Sequence, residues 1–147
     1  MGTPWRAPAE VPVSDEPVLE RILYVEDDPD IQAVARLALE TVAGFRLLLC
    51  ASGEEAVTLA PGFAPHLILL DASLPGMDGP ATLVALRAQP GLARVPVVFL
   101  TAHAGEEDTT RFLAQGAAGV LVKPFDPMTL GDEIRRRWPD WRGKTGT

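Results

Sequence analysis

Four short apolar runs in this 147-residue chain each end on a residue able to do chemistry. Ile22-Leu23-Tyr24-Val25 leads into Glu26-Asp27, and Leu67-Ile68-Leu69-Leu70 ends on Asp71. Pro96-Val97-Val98-Phe99-Leu100 delivers Thr101, and Gly119-Val120-Leu121-Val122 delivers Lys123-Pro124. If the runs are strands of one parallel sheet, all five side chains reach the rim where open α/β sheets gather ligand chemistry. Two carboxylates about 5 Å apart repel by roughly 3 kcal/mol at an effective dielectric near 20. Three together therefore call for compensation. A divalent cation in a shell of oxygen ligands and waters supplies it: Mg²⁺, with Mn²⁺ as a substitute. With a lysine and a hydroxyl beside them, the set suits a phosphoryl group, and the central carboxylate, Asp71, suits a nucleophile toward phosphorus.

The elements between these runs are those a parallel sheet needs. Asp28-Pro29 reads as a helix cap with proline at the first helical position. Ile31, Val34, Ala35, Ala38 and Val42 then share one helical face, and Gly44 ends the helix. Phe45–Cys50 is a second strand. Ser52-Gly53-Glu54-Glu55 has capping-box spacing and opens a short helix that Pro61-Gly62 closes. A third helix is expected over Pro80–Ala88 and a fourth over Glu106–Gln115, with Gly116 as its C-cap. The last begins at Asp126-Pro127, carries Leu130, Ile134 and Trp138 on one face, and ends at Pro139. A βα unit repeated five times implies a flavodoxin-like (βα)5 doubly wound parallel sheet, strand order 2-1-3-4-5, with the switch point between strands one and three. The domain is expected over residues 21–138. A proline-rich extended arm or linker precedes it over residues 1–20, and a polar tail follows over 139–147.

Composition narrows the function. The net charge of −7 gives no electrostatic footprint for gripping a phosphate backbone, which argues against direct nucleic-acid binding. Cys50 is the only cysteine, so no intramolecular disulfide forms, and a reducing cytoplasm is the expected compartment. No apolar run reaches membrane-spanning length, and the N-terminus lacks the apolar core of a signal peptide.

With Glu26-Asp27, Asp71, Thr101-Ala102 and Lys123-Pro124 in this order on these elements, the chain resembles the receiver domain of two-component response regulators, over about residues 20–138. The resemblance implies a phosphoacceptor, not an enzyme in the ordinary sense: Asp71 takes a phosphoryl group from a histidine kinase, a phosphotransfer protein or a small phosphodonor. It implies that Asp27, Asp71 and the backbone carbonyl of Ser73 ligate Mg²⁺, with Glu26 acting through a metal-bound water. Thr101 and Lys123 would hold phosphoryl oxygens, and Lys123-Pro124 would be a cis peptide. Ser73 and His103 would set the lifetime of the acyl phosphate. Output to an unnamed protein target, or a homodimer, would use the face formed by helix four, strand five and helix five, where Glu106, Glu107, Asp108 and Arg111 lie. Arg135-Arg136-Arg137 are expected there as a solvated helix end.

One position departs from the family pattern: Val120 stands where an aromatic commonly follows the threonine's movement. The resemblance therefore leaves a relay of phosphoryl groups open beside a conformational switch, and a receiver cut from a hybrid kinase beside a stand-alone one. A Mg²⁺-dependent phosphatase of the haloacid-dehalogenase type would want a second aspartate two residues after the nucleophile, where this chain has Ser73. A flavodoxin-like cofactor site would want a glycine- and hydroxyl-rich first loop, and Glu26-Asp27-Asp28 would repel a phosphate there.

Overall fold

The computed structural model describes residues 18–145. Five strands, β1 (Arg21–Val25), β2 (Arg46–Cys50), β3 (Leu67–Asp71), β4 (Val97–Thr101) and β5 (Gly119–Val122), form one parallel sheet in the order β2-β1-β3-β4-β5. The connecting helices are α1 (Pro29–Arg36), α2 (Gly53–Phe63), α3 (Gly79–Arg87), α4 (Glu106–Ala114) and α5 (Leu130–Thr145). The doubly wound sheet expected from the alternation is therefore present, with its switch point between β1 and β3.

Period-two alternation sends the strand side chains to two separate cores. Ile22, Tyr24, Leu67, Leu69, Val98, Leu100 and Leu121 pack with Ala35, Ala38 and Leu39 beneath α1, and with Leu130, Ile134, Trp138 and Trp141 of α5. Leu23, Val25, Ile68, Leu70, Phe99 and Val120 pack on the other face with α2, α3 and α4, through Ala56, Ala60, Leu83, Leu86 and Phe112. Every residue of β3 and of β4 is buried, as a run covered on both faces requires.

Helix starts follow their caps. Asp28 accepts a hydrogen bond from the Asp30 amide at 2.8 Å, Ser52 from Glu55 at 3.1 Å and Asp78 from Ala81 at 2.8 Å. Asp126 caps a turn before the helix proper: its carboxylate accepts from the Met128 amide at 2.9 Å, and α5 begins only at Leu130. Beyond Arg36 the first helix widens into a π-helical stretch, Leu37–Val42, before Gly44 turns the chain at φ +81°.

Helix ends depart from expectation at both internal prolines. α2 continues past Pro61 to Phe63 and stops at Ala64, which takes a left-handed φ of 52°. α5 continues past Pro139 to Thr145, so most of the expected polar tail is helix. Proline inside a helix costs about 3 kcal/mol. Burying an indole removes roughly 200 Å² from water, about 5 kcal/mol at most. Trp141, three residues after Trp138, is 1% exposed and lies against Gly119, where any side chain would overlap its ring. The burial outweighs the break.

Of the expected N-terminal arm, residues 1–17 lie outside the described residues. Glu20 is tied to the sheet: its carbonyl accepts from Arg46 N at 2.9 Å, and its amide donates to His66 Nδ1 at 3.2 Å. His66 also accepts from Arg21 N at 3.1 Å and so joins the start of β1 to the start of β3. No helix among the described residues is long and apolar enough to cross a membrane.

Candidate functional site

The parallel register sets β1, β3, β4 and β5 side by side, so their C-terminal ends line one rim. Glu26, Asp27 and Asp71 converge there, each offering a carboxylate oxygen within 4.8 Å of the others. Glu26 is 1% exposed and Asp71 3%, whereas Asp27 is exposed. Lys123 reaches across from the end of β5. Its Nζ lies 3.2 Å from Glu26 Oε1 and 3.2 Å from Asp71 Oδ2. The Lys123–Pro124 peptide is cis, as the resemblance implies.

The two buried carboxylates are anchored. The Ser73 amide donates to Asp71 Oδ1 at 3.0 Å and the Asp28 amide to Glu26 Oε2 at 3.1 Å. The main chain of Glu26 is fixed as well: its amide donates to Cys50 O at 2.9 Å, and Gln32 Nε2 donates to its carbonyl at 2.6 Å. Gly79 keeps the opening of α3 close to β3, since a side chain there would press within 2.9 Å of Asp71 O and the Phe99 ring.

Burial pushes the Glu26 carboxyl above its ordinary range; the Asp28 amide opposes this, and the Asp71 charge adds to it. For Lys123, burial works against the charge, but Asp71 and then Glu26 outweigh it, and the ammonium is held above its usual value. One lysine against three carboxylates leaves an excess of negative charge in a half-buried pocket of oxygen donors. Such a donor set fits a hard divalent cation.

Thr101 is buried at the end of β4, with its hydroxyl turned onto its own loop: Oγ1 accepts from His103 N at 3.0 Å and donates to His103 O at 3.3 Å. Thr101, His103 and Ser73 line a cavity of about 380 Å³ whose far wall is Asp108, Arg111 and Phe112 of α4. His103 and Ser73 are both exposed. Val120 is buried behind this region, and an aromatic pair, Phe99 and Phe112 with centroids 4.7 Å apart, packs in the same core.

The arginines of α5 lie in mid-helix rather than at its end; Arg135 and Arg136 are exposed and Arg137 is half-buried. Arg135 donates to Ala43 O at 2.7 Å and stacks 4.1 Å over the Phe45 ring, on the α1 side of the molecule. Arg137 pairs with Glu133 at 3.3 Å and donates to Val120 O at 3.4 Å. One further feature was not read from sequence: the Tyr24 hydroxyl donates to Glu26 Oε1 at 3.3 Å from inside the core. Two-residue spacing along β1 is the signal that places both on one side of the sheet. Burial, reinforced by the charges of Glu26 and Asp71, pushes this phenol far above its ordinary pKa.

Known proteins resemble this chain over most of its length. The family model described as the response regulator receiver domain matches residues 22–135. The DNA-binding response regulator MtrA of Mycolicibacterium smegmatis is 37% identical over 118 residues, 80% of this chain and 50% of that protein. The chain thus spans about half the length of the curated relatives it matches first. Among solved structures, the Vibrio cholerae chemotaxis protein CheY4 superposes with a TM-score of 0.74 at 31% identity, covering 81% of this chain and 98% of that one. The receiver domain of the sensor histidine kinase PA1611 from Pseudomonas aeruginosa PAO1, whose structure has a magnesium ion in its active-site cleft, gives 0.70 at 36% identity, covering 86% and 99%. Sheet order, rim and relatives converge on one conclusion: this chain belongs to the response regulator receiver domain family.

Proposed function

We propose that Asp71 is the phosphoacceptor, and that it receives a phosphoryl group from the phosphohistidine of a histidine kinase or phosphotransfer protein. The observation that carries this is a buried carboxylate at the end of β3 with Lys123 Nζ 3.2 Å away and two further carboxylates close by. An Asp71 carboxylate oxygen attacks phosphorus. The new P–O bond forms as the P–N bond to the donor imidazole breaks, and the imidazole leaves as the base that takes up a proton.

Asp27, Asp71 and the Ser73 carbonyl are assigned to Mg²⁺, with Glu26 reaching it through water; the bound ion supplies positive charge to the phosphoryl oxygens. Lys123 turns from its two carboxylates toward the transferred group and offsets its charge. Thr101 must exchange its bonds to His103 for one to a phosphoryl oxygen, which draws the β4–α4 loop inward. The added charge of about −1.5 to −2 biases an equilibrium between two loop arrangements. Ser73 and His103, exposed at the cavity mouth, control how water reaches the acyl phosphate. The exposed part of α4, β5 and α5 is the surface assigned to a protein target or a second copy, and the cytoplasm is the assigned compartment.

The test is intact mass after incubation with Mg²⁺ and phosphoramidate. Wild type should gain one phosphoryl group, and Asp71→Asn should gain none. An unlabelled wild type would overturn the reading, as would a fully labelled Asp71→Asn.

A further inference from the structure

Glu26 Oε1 has two hydrogen-bond donors of different character. Lys123 Nζ, 3.2 Å away, is shared with Asp71 and must swing toward any anion that arrives there. The Tyr24 hydroxyl, 3.3 Å away, has no such freedom. Its ring is fully buried, packed in the core beneath α1 and α5, and β1 holds its backbone between β2 and β3. Oε2 of the same carboxylate accepts from the neighbouring Asp28 amide at 3.1 Å, within the loop itself.

We propose that Tyr24 is a positioning residue for the cation site: its phenol fixes the orientation of the Glu26 carboxylate, and keeps it fixed when Lys123 leaves to meet a phosphoryl group. The reasoning is geometric. A carboxylate that acts on a cation through water must present its oxygens at a set angle, and partners behind a ligand govern that angle. A donor mounted on the rigid sheet does this without being drawn into the reaction. The inference rests on the reading of the rim as a Mg²⁺-dependent phosphoacceptor site.

Tyr24 is the only tyrosine of the chain, which makes the test specific. With tyrosine labelled at the ring carbon bearing oxygen, the wild-type spectrum holds one such signal, and it should shift as Mg²⁺ is added. Tyr24→Phe keeps the ring and its packing, so the melting temperature should hold. Its Mg²⁺ dissociation constant, measured by calorimetry, should rise roughly tenfold, the lower end for loss of a partner behind a ligand. Placed in a Glu26→Gln background, Tyr24→Phe should add little, because both changes act through one carboxylate. Unchanged Mg²⁺ affinity in Tyr24→Phe would overturn the proposal. So would an effect of full size in the Glu26→Gln background. Wild type that takes up phosphoryl mass while Tyr24→Phe behaves identically sinks this inference alone; wild type that neither binds Mg²⁺ nor takes up phosphoryl mass sinks the underlying reading with it.

Discussion

Asp71 ends β3 and Lys123 directly follows β5, two strands that do not pair, yet Nζ and Oδ2 stand 3.2 Å apart. β4 lies between β3 and β5, so the lysine must cross its end, and Thr101 sits at that end. The three residues assigned to the phosphoryl group therefore stand at the ends of three neighbouring strands.

Removal of this lysine should separate stability from cation binding. Lys123→Met leaves buried Glu26 and Asp71 facing each other without a counter-charge. Breaking one side of a buried pair costs about 3–5 kcal/mol. Metal-free unfolding in urea should show a loss of that order, and added Mg²⁺ should restore more stability to the variant than to wild type. Equal stability of the two proteins without metal would contradict the ion-pair account.

His66 makes the structure sensitive to mild acid. Its Nδ1 accepts from two backbone amides, which only the neutral ring can do. Burial and then the Arg21 charge depress its pKa below 6.5, with Glu20 opposing. In the window between that depressed value and 6.5 the unfolded chain binds the proton and the folded chain does not. Stability is thus fully present above pH 6.5 and falls as the pH drops below it. Urea midpoints measured across this window should decline for wild type and flatten in His66→Gln.

The end of α5 is part of the core. Trp141→Ala should cost about 3–5 kcal/mol, the usual range for truncating a buried aromatic. A chain ending at residue 138 should lose at least as much, since Lys144 also donates to Ala118 O at 3.4 Å. Denaturant melts of both variants test this, and a neutral truncation would show that the segment after Pro139 carries no packing.

Exchange of Ser73 and His103 should change the life of the acyl phosphate without changing its formation. Both are exposed at the cavity mouth beside Thr101. Decay of the phosphoryl mass should differ several-fold between wild type and a variant with both replaced by bulkier neutral residues. An unchanged decay rate would remove them from this role.

Much of this was legible in the chain because apolar runs and strand-end polar residues are local signals. β3 shows an unbroken apolar run and then Asp71, and burial on both faces needs nothing more. Pro139 misleads for the opposite reason. The break is local, whereas the compensation, Trp141 on Gly119, is formed only once β5 and α5 meet. Arg135 likewise reads as a plain surface cation until the turn carrying Ala43 and Phe45 supplies a carbonyl and a ring to a side chain that stays exposed. The π-helical stretch Leu37–Val42 has no sequence marker that sets it apart from an α-helix. Tyr24 was readable in part, by its two-residue spacing from Glu26, but a strand tyrosine is ordinarily only core.

The most direct test of the central claim is to locate the phosphoryl group. After labelling with phosphoramidate and Mg²⁺, borohydride reduces an aspartyl phosphate to homoserine, which peptide sequencing by mass spectrometry places on a single residue. Homoserine at position 71 is the expected result. Homoserine at position 27 or 78, 5-hydroxynorvaline at position 26 from a glutamyl phosphate, or a label that resists reduction, would contradict the assignment of Asp71 as the phosphoacceptor.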